Sequence, residues 1–239
     1  MKWQVRLDGP QHELAELSRS LCSEILSLSK DKHDQYYLAS TKFESCSTAD
    51  EVLTVSEHIL AVLNGATKLA LGGNLGLSES GVLEQLANGA KNFYMYLSDT
   101  ASARDSLGVS ITDTDGNIIE EYKPADPVLK WVTAGLTDDS VGKVFRLFGR
   151  EHNWAELYRI FEIIENDVGG INEIAIRGWS SKGQLKTFKH TANSPSAVGH
   201  HARHGKETTE PPKNPMLISE ARVLIQTLVH HWLRSKGFT

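Results

Sequence analysis

The sequence predicts an α+β protein, with an antiparallel α/β domain at residues 1–123 followed by an all-α helical bundle at residues 127–239. Alternating apolar residues and two turn dipeptides indicate antiparallel strands in the first half. Two closely spaced prolines at residues 124–127 resist both helix and central strand, and therefore mark a linker. Beyond them the apolar spacing becomes helical and strand patterns nearly vanish.

The first half opens with a strand, a short helix and two more strands. Apolar alternation predicts the first strand over residues 2–7. Pro10 followed by leucines at helical spacing predicts the helix. Residues 24–30 and 35–43 favour strands on either side of a polar stretch.

A long helix and two hairpins complete this half. Thr48 is a suitable N-cap for the helix, which is predicted to end near Gly65 or to continue to Leu71. Asn88-Gly89 and Asp115-Gly116 accept the positive φ angles of tight hairpin turns. The predicted strand pairs are residues 82–87 with 91–97 and residues 109–112 with 118–122.

The second half is predicted to be helical throughout. Asn153 is a suitable N-cap for its third helix, and Gly169-Gly170 is a suitable stop. The last helix has the most regular apolar stripe, and Ser219 is its predicted N-cap. The predicted helices cover residues 128–136, 138–148, 153–168, 171–179, 181–191 and 219–233, of which 171–179 and 181–191 have the weaker patterns.

A segment without periodicity, residues 191–216, separates the last two predicted helices. It holds four of the seven prolines, and a loop of this length within a compact domain is usually functional or disordered. Ala197, Val198 and Met216 offer apolar anchors, so we expect the loop to pack back over the bundle.

The composition is that of an ordinary globular protein, with 239 residues of which 40% are hydrophobic and 23% are charged. No apolar run reaches the ~18 residues of a membrane span, and residues 1–10 lack the apolar core of a signal peptide. Cys22 and Cys46 form no CxxC motif, which favours a reducing compartment. We therefore expect a cytoplasmic protein without membrane contact and predict no cofactor.

Charge is distributed unevenly behind a net charge of −5. Residues 1–126 hold 10 Lys and Arg against 19 Asp and Glu. Residues 177–239 hold 10 against 3, together with six of the ten histidines. Such asymmetry indicates an anionic partner for the basic end, although mutual attraction of the halves would explain the same pattern.

A basic, imidazole-rich constellation near residues 189–206 is the main candidate site. Two imidazoles and a guanidinium can cleave RNA without metal, because one imidazole takes the 2′-hydroxyl proton, the other protonates the leaving oxygen and the guanidinium stabilises the phosphorane. Anion binding alone, or a polar loop whose histidines cap helices, are the alternatives. The candidate catalytic residues are His190, Arg203 and His204, and the candidate phosphate-binding residues are Lys189, Asn193 and Lys206.

A zinc site is the remaining chemical interpretation of these histidines. On a helix, His200 and His204 would share one face, with His190 as a third ligand. Gly199 and Gly205 flank the pair and disfavour a helix, and bound zinc needs three or four well-placed ligands. No metal is therefore predicted.

Three stretches of the second half resemble the HEPN superfamily, the small helical-bundle domains common in prokaryotic defence and toxin systems. The resembling stretches are Asn153-Trp154-Ala155-Glu156-Leu157-Tyr158, Arg203-His204-Gly205 and the final helix from Ser219. The same half resembles a group of uncharacterised bacterial proteins with an ARHG block, here Ala202–Gly205, and a PPKNPM block, here Pro211–Met216. The resemblance covers about residues 127–239.

The resemblance implies a bundle that, in active members, cuts RNA with an arginine and a later histidine that are separated by four to six residues. The positions for that arginine before His204 are residues 197–199, which contain none. Arg146 and His152 match the spacing but lie between two predicted helices rather than on the last one. Either the site is rearranged around the candidate residues named above, or the bundle is inactive and kept for binding.

The sequence therefore predicts an RNA- or nucleotide-binding protein of prokaryotic defence type that is a candidate metal-independent ribonuclease. The alternative is a non-catalytic interaction module, in which the bundle forms a homodimer through apolar helices and the acidic half contacts a partner protein. RNA binding should weaken steeply with salt, because it is driven by counterion release, whereas apolar association should not.

Overall fold

A computed structural model describes residues 2–71, 76–95, 111–112, 118–120, 125–150, 152–207 and 209–238. The chain divides into two compact units, Met1–Thr137 and Asp138–Thr239, which we call the N-terminal and C-terminal units. The described strands lie in the first unit, and the second unit is helical where it is described. The predicted α+β class is thus confirmed. Within the described residues, no helix combines the length and apolarity needed to cross a membrane.

An antiparallel five-stranded sheet with three helices forms the N-terminal unit. The strand order is β2-β3-β1-β4-β5, and β6 pairs with β7 in a separate two-stranded sheet. The elements are β1 (Trp3–Asp8), α1 (Gln11–Ser20), β2 (Leu26–Lys30), β3 (Tyr36–Ser40), α2 (Ala49–Leu71), β4 (Ser78–Gln85), β5 (Lys91–Met95), β6 (Ile111–Thr112), β7 (Ile118–Glu120) and α3 (Ala125–Thr137).

Both predicted hairpins form antiparallel strand pairs, β4 with β5 and β6 with β7. Gly89 adopts a φ of 82° in the first turn, as a tight hairpin requires. The Asp115-Gly116 turn lies outside the described residues. Strand β4 begins earlier than the predicted residue 82, because β1 pairs with it as far as Ser78. That polar start carries no apolar alternation, so the sequence pattern does not mark it.

The predicted strand over residues 35–43 ends at Ser40, and a 3₁₀ turn follows at Thr41–Ser45. The Ser40 hydroxyl accepts a hydrogen bond from the Lys42 backbone N–H at 3.2 Å, which favours the turn over continued strand. Phe43 is then buried under the turn rather than along the sheet. Helix α2 takes the longer of its two predicted lengths.

The predicted linker at residues 124–127 is wrong in its second part, since α3 begins at Ala125. A proline in the first turn of a helix costs no hydrogen bond, so Pro127 does not prevent this start. Helix α3 packs against α1 and α2, and its core side chains Val128, Trp131 and Val132 are at most 7% exposed. It therefore belongs to the N-terminal unit, and the boundary falls after Thr137 instead of at residues 124–127.

The C-terminal unit is a bundle around the aromatic side chains of three helices. Tyr158 and Phe161 lie 6.0 and 5.6 Å from the Phe188 ring, centroid to centroid. Trp232 is fully buried, and its Nε1–H donates to Asp167 Oδ2 at 2.8 Å. The elements are α4 (Asp139–Phe148), α5 (Trp154–Val168), α6 (Ile171–Ile176), α7 (Lys182–Ala192), α8 (Pro195–Val198), a 3₁₀ turn (Gly199–His201) and α9 (Ile218–Ser235).

The start of α9 differs from the sequence prediction. Its N-cap is Leu217, not Ser219. Glu220 reaches back and accepts the Leu217 backbone N–H at 2.8 Å, so the side-chain contact at this helix start comes from a glutamate in the first turn rather than from a serine hydroxyl.

The segment between α7 and α9 packs on the bundle, as expected. Arg203 N–H donates to the Ala192 carbonyl at 2.9 Å, and Met216 N–H donates to the Thr191 hydroxyl at 3.1 Å. Met216 is buried at the end of the segment. Residues 195–201, predicted as loop, instead form α8 and the 3₁₀ turn.

Candidate functional site

Helix α7 forms one wall of the candidate site. The Ser181 hydroxyl caps the helix by accepting the Gln184 N–H at 3.1 Å. Leu185 and Phe188 are fully buried and fix the inner face. The side chains on the outer face follow i, i+3, i+4 and i+7 spacing, which brings them together: Lys186, Lys189, His190 and Asn193.

An open surface pocket of about 580 Å³ lies against this face, and we call it the α7 pocket. Four of the six predicted site residues line it, whereas Arg203 and Lys206 are not among its lining residues. The lining residues are Ile171, Lys186, Lys189, His190, Asn193, His204 and Thr209.

The two lysines of the pocket differ in their partners. Lys189 Nζ bonds both carboxylate oxygens of Glu165 at 3.0 Å and lies 5.3 Å from the centre of the Phe161 ring. Its charge is therefore shared with a carboxylate of α5. Lys186 is exposed and has no ion pair within the described part of the chain, so it is the more available cation.

His190 is oriented by the backbone of the segment that follows α8. Its Nε2 lies 2.7 Å from the Glu210 carbonyl oxygen. A carbonyl only accepts, so Nε2 carries the proton and donates. The lone pair of the neutral ring is then on Nδ1.

His204 has the opposite arrangement, set by Arg203. Arg203 Nη1 lies 3.1 Å from His204 Nε2, and a guanidinium only donates. His204 Nε2 is therefore the acceptor and the ring proton is on Nδ1. The two imidazoles of the pocket thus differ in which ring nitrogen holds the proton.

Arg203 is held beside the pocket by three contacts. Its Nη2 donates to Glu162 Oε1 at 2.7 Å, and its guanidinium lies 4.4 Å from the Tyr158 ring centre. The third contact is the hydrogen bond to His204. These contacts hold the Arg203 guanidinium against Glu162, Tyr158 and His204, and it does not line the pocket in which the sequence predicts a phosphorane-stabilising cation.

Glu207 fastens the segment beside the pocket. The Ser194 and Ser196 side chains, together with the Ser196 N–H, hold the pKa of Glu207 below its ordinary value. The N–H contact measures 2.8 Å. An ionised Glu207 therefore ties the chain after Lys206 to the start of α8.

The alternative pairs of residues are not brought together as sites. His200 lies within a 3₁₀ turn and His204 lies in a bend, so they share no helix face. In the portion of the chain that is described, no cluster of three or more His, Cys, Asp or Glu side chains is suited to a metal ion. His152 Nε2 bonds the Phe148 carbonyl at 2.7 Å and does not line the cavity that Arg146 lines.

Sequence reasoning missed Lys186, Thr209 and Ile171 as pocket residues. The helical spacing of Lys186 with Lys189 and His190 was the available signal for the first. Thr209 lines the pocket only because the loop folds back. The acidic partners on α5 carry no sequence signal, since their pairing with α7 is tertiary.

Comparison of the chain with protein-family models, with curated proteins and with solved structures found no match. The function must therefore be inferred from the chemistry of the pocket.

Proposed function

We propose that the C-terminal unit binds RNA or a nucleotide at the α7 pocket, as part of a HEPN-like protein of prokaryotic defence type. The observation that carries the proposal is the convergence of two lysines, two histidines and an asparagine on one open pocket. Ammonium, imidazole N–H and amide groups are all donors to phosphate oxygens. Lys189 shares its charge with Glu165, so we expect a salt-sensitive site of moderate affinity.

We further propose that the pocket cleaves RNA without a metal. The hydrogen bonds of the two imidazoles support complementary roles: His190 Nδ1 is available as a base and His204 Nδ1–H as an acid. His190 would take the 2′-hydroxyl proton while the 2′-oxygen attacks the adjacent phosphorus. His204 would protonate the departing 5′-oxygen as an imidazolium, which forms when its Nε2 takes up a proton in place of the hydrogen bond from Arg203. The products would be a 2′,3′-cyclic phosphate and a free 5′-hydroxyl.

Lys186→Gln tests phosphate binding, with Lys182→Gln as its matched control on the same helix. Both lysines are exposed, but Lys182 does not line the pocket. We expect Lys186→Gln to weaken binding of a single-stranded RNA several-fold in fluorescence anisotropy. The slope of log affinity against log salt should fall by about 0.7, the value for one phosphate contact.

The control should leave both the affinity and the slope unchanged. Equal effects of the two substitutions would place the RNA elsewhere. Absence of RNA binding by the wild-type chain at low salt would overturn the proposal.

His204→Ala and His190→Ala test catalysis, with His201→Ala as the control because it is exposed and lies outside the pocket. Each pocket substitution should reduce RNA cleavage at least ~100-fold, the usual contribution of a general acid or base. RNA affinity should fall far less than cleavage, because both lysines of the pocket remain. A wild-type chain that binds RNA and leaves it intact would reduce the function to binding.

An interaction module is the second candidate, favoured by apolar side chains on the surface of the C-terminal unit. Ile176 is 76% exposed, and Leu217 and Val223 are each 64% exposed. Exposed apolar groups of this size are typical of protein interfaces when they lie together. Sedimentation of the chain as a dimer at both low and high salt, without RNA binding, would favour this function.

A further inference from the structure

A second basic surface lies between α4 and α5, away from the residues that line the α7 pocket. It is an open groove of about 500 Å³, which we call the α4–α5 groove. Its polar lining is mostly cationic: Lys143 and Arg146 from α4, Arg150 just after α4, and Arg159, Glu162 and Asn166 from α5.

The cations of α4 are placed as a row. Lys143 and Arg146 follow i, i+3 spacing, so they share one face about 4.5 Å apart along the helix axis, and Arg150 follows just beyond the end of the helix. The opposite face, with Val144 and Phe145, is fully buried in the unit. The core packing therefore fixes the row towards the groove.

Two of the arginines have donors available for a ligand. Arg159 has no ion pair with a described residue. Arg146 Nη2 lies 4.0 Å from Asp139 Oδ1, at the outer limit of an ion pair. Asp139 is 75% exposed and bonds Lys143 more closely, at 2.6 Å, and exposed pairs of this kind contribute little and exchange readily.

The lining chemistry suits a nucleic acid strand. Three of the four cations are arginines, whose planar guanidinium groups bind phosphate oxygens in pairs. Leu147 and Ile163 are half-buried and give the groove an apolar part. A ligand that alternates phosphates with flat apolar groups uses both features, whereas a purely acidic peptide uses only the first.

The groove is connected to the α7 pocket by a chain of hydrogen bonds. Glu162 lines the groove and accepts from Arg203 at 2.7 Å. Arg203 in turn donates to His204, which lines the α7 pocket, at 3.1 Å. One arginine side chain therefore separates the two surfaces.

We propose that the α4–α5 groove is a second phosphate-binding subsite, which holds the RNA strand where it continues beyond the α7 pocket. The inference rests on the proposed function and adds the direction of the strand, from α7 past Arg203 to the face between α4 and α5. It predicts that binding strength depends on RNA length, because a short ligand fills only the pocket.

The double variant Arg146→Gln/Arg159→Gln tests the groove. Its control is Lys182→Gln/Lys213→Gln, which removes two exposed charges outside both sites. Affinity is measured in the full chain for a single-stranded RNA of about 12 nucleotides, within the usual range of single-strand sites, and for a dinucleotide. Circular dichroism checks that each variant is folded.

We expect the groove variant to bind the long RNA about tenfold more weakly and its salt slope to fall by about 1.4, as two lost phosphate contacts require. Dinucleotide binding should remain at the wild-type level. Lys186→Gln, in contrast, should weaken both ligands.

If the groove variant binds the long RNA as tightly as the control variant does, the α4–α5 groove is not a subsite, and the assignment of the α7 pocket is unaffected. Loss of binding in the groove variant alone, with Lys186→Gln unaffected, would overturn the strand path and the pocket assignment together. Displacement of the long RNA by polyglutamate as effectively as by unlabelled RNA would assign the groove to acidic protein instead.

Discussion

Asp138 connects the start of α4 with the end of α9. Its Oδ1 caps α4 by accepting the Val141 N–H at 3.1 Å, and its Oδ2 bonds Lys236 Nζ at 2.9 Å. Lys236 also lies 3.2 Å from Asp167, which holds the Trp232 indole. Burial alone would raise the pKa of Asp138, but the Lys236 and Val141 hydrogen bonds outweigh it and lower the pKa below its ordinary value.

This lowered pKa predicts a loss of stability in acid. A carboxyl whose folded-state pKa is below its unfolded value stabilises the fold above about pH 4, and the stabilisation disappears as pH falls through the folded value. Asp138→Asn should keep the cap but destabilise the fold by about 1 kcal/mol at pH 7. Urea unfolding followed by tryptophan fluorescence should show this difference shrinking towards pH 3.

Asp139→Asn is the matched control, because that carboxylate is 75% exposed in its pair with Lys143. Its effect should stay below about 0.5 kcal/mol at every pH. A parallel acid profile for wild type and Asp138→Asn would contradict the assignment to Asp138.

At the scale of single helices, two exposed glycines have opposite expected effects. Gly169 ends α5 with a φ of 91°, in the left-handed region, so Gly169→Ala should destabilise the fold by about 1 kcal/mol. Gly183 lies in the first turn of α7 with open space around its Cα. Gly183→Ala should stabilise by about 0.5 kcal/mol, since alanine favours helix. Urea midpoints that move in the same direction for both variants would refute this reasoning.

The elements that sequence could predict are those whose signals are local. Asn153 caps α5 and Gly169 ends it as predicted, because a cap needs only its own helix. The N-cap at Leu217 and the start of β4 at Ser78 depend on a side chain reaching back and on a partner strand. Neither leaves a pattern in the residues themselves.

The candidate site was predictable to the same extent. Lys189, His190 and Asn193 lie on one helix face, so their proximity follows from spacing alone. His204 reaches the pocket through a fold-back of the chain, and its neighbour Arg203, which pairs with Glu162, does not line it. Which of two adjacent residues enters a pocket is decided by tertiary partners.

For the whole molecule, the position of the boundary between the units decides which fragments can fold. Helix α3 covers α1 and α2 with Val128, Trp131, Val132 and Ala134, all at most 7% exposed. Each large apolar side chain buried in this way stabilises the fold by about 1.5–3 kcal/mol. A cut at the sequence-predicted linker would remove this layer.

Fragment 1–137 should therefore unfold cooperatively in urea, whereas fragment 1–126 should bind a hydrophobic dye and aggregate. Fragment 138–239 should fold by itself, because its buried residues pack within α4–α9. Circular dichroism and dye fluorescence measure both outcomes. Equally cooperative unfolding of fragments 1–126 and 1–137 would show that α3 is dispensable.

The central place of β1 in its sheet has a consequence for biosynthesis. β1 leaves the ribosome before both of its partner strands, since it pairs with β3 on one side and with β4, as far along the chain as Glu84, on the other. Trp3, Val5 and Leu7, which are at most 2% exposed in the finished sheet, must wait for that late partner. During translation this strand has an unpaired backbone edge and uncovered apolar side chains, so the nascent chain should recruit chaperones until β4 emerges.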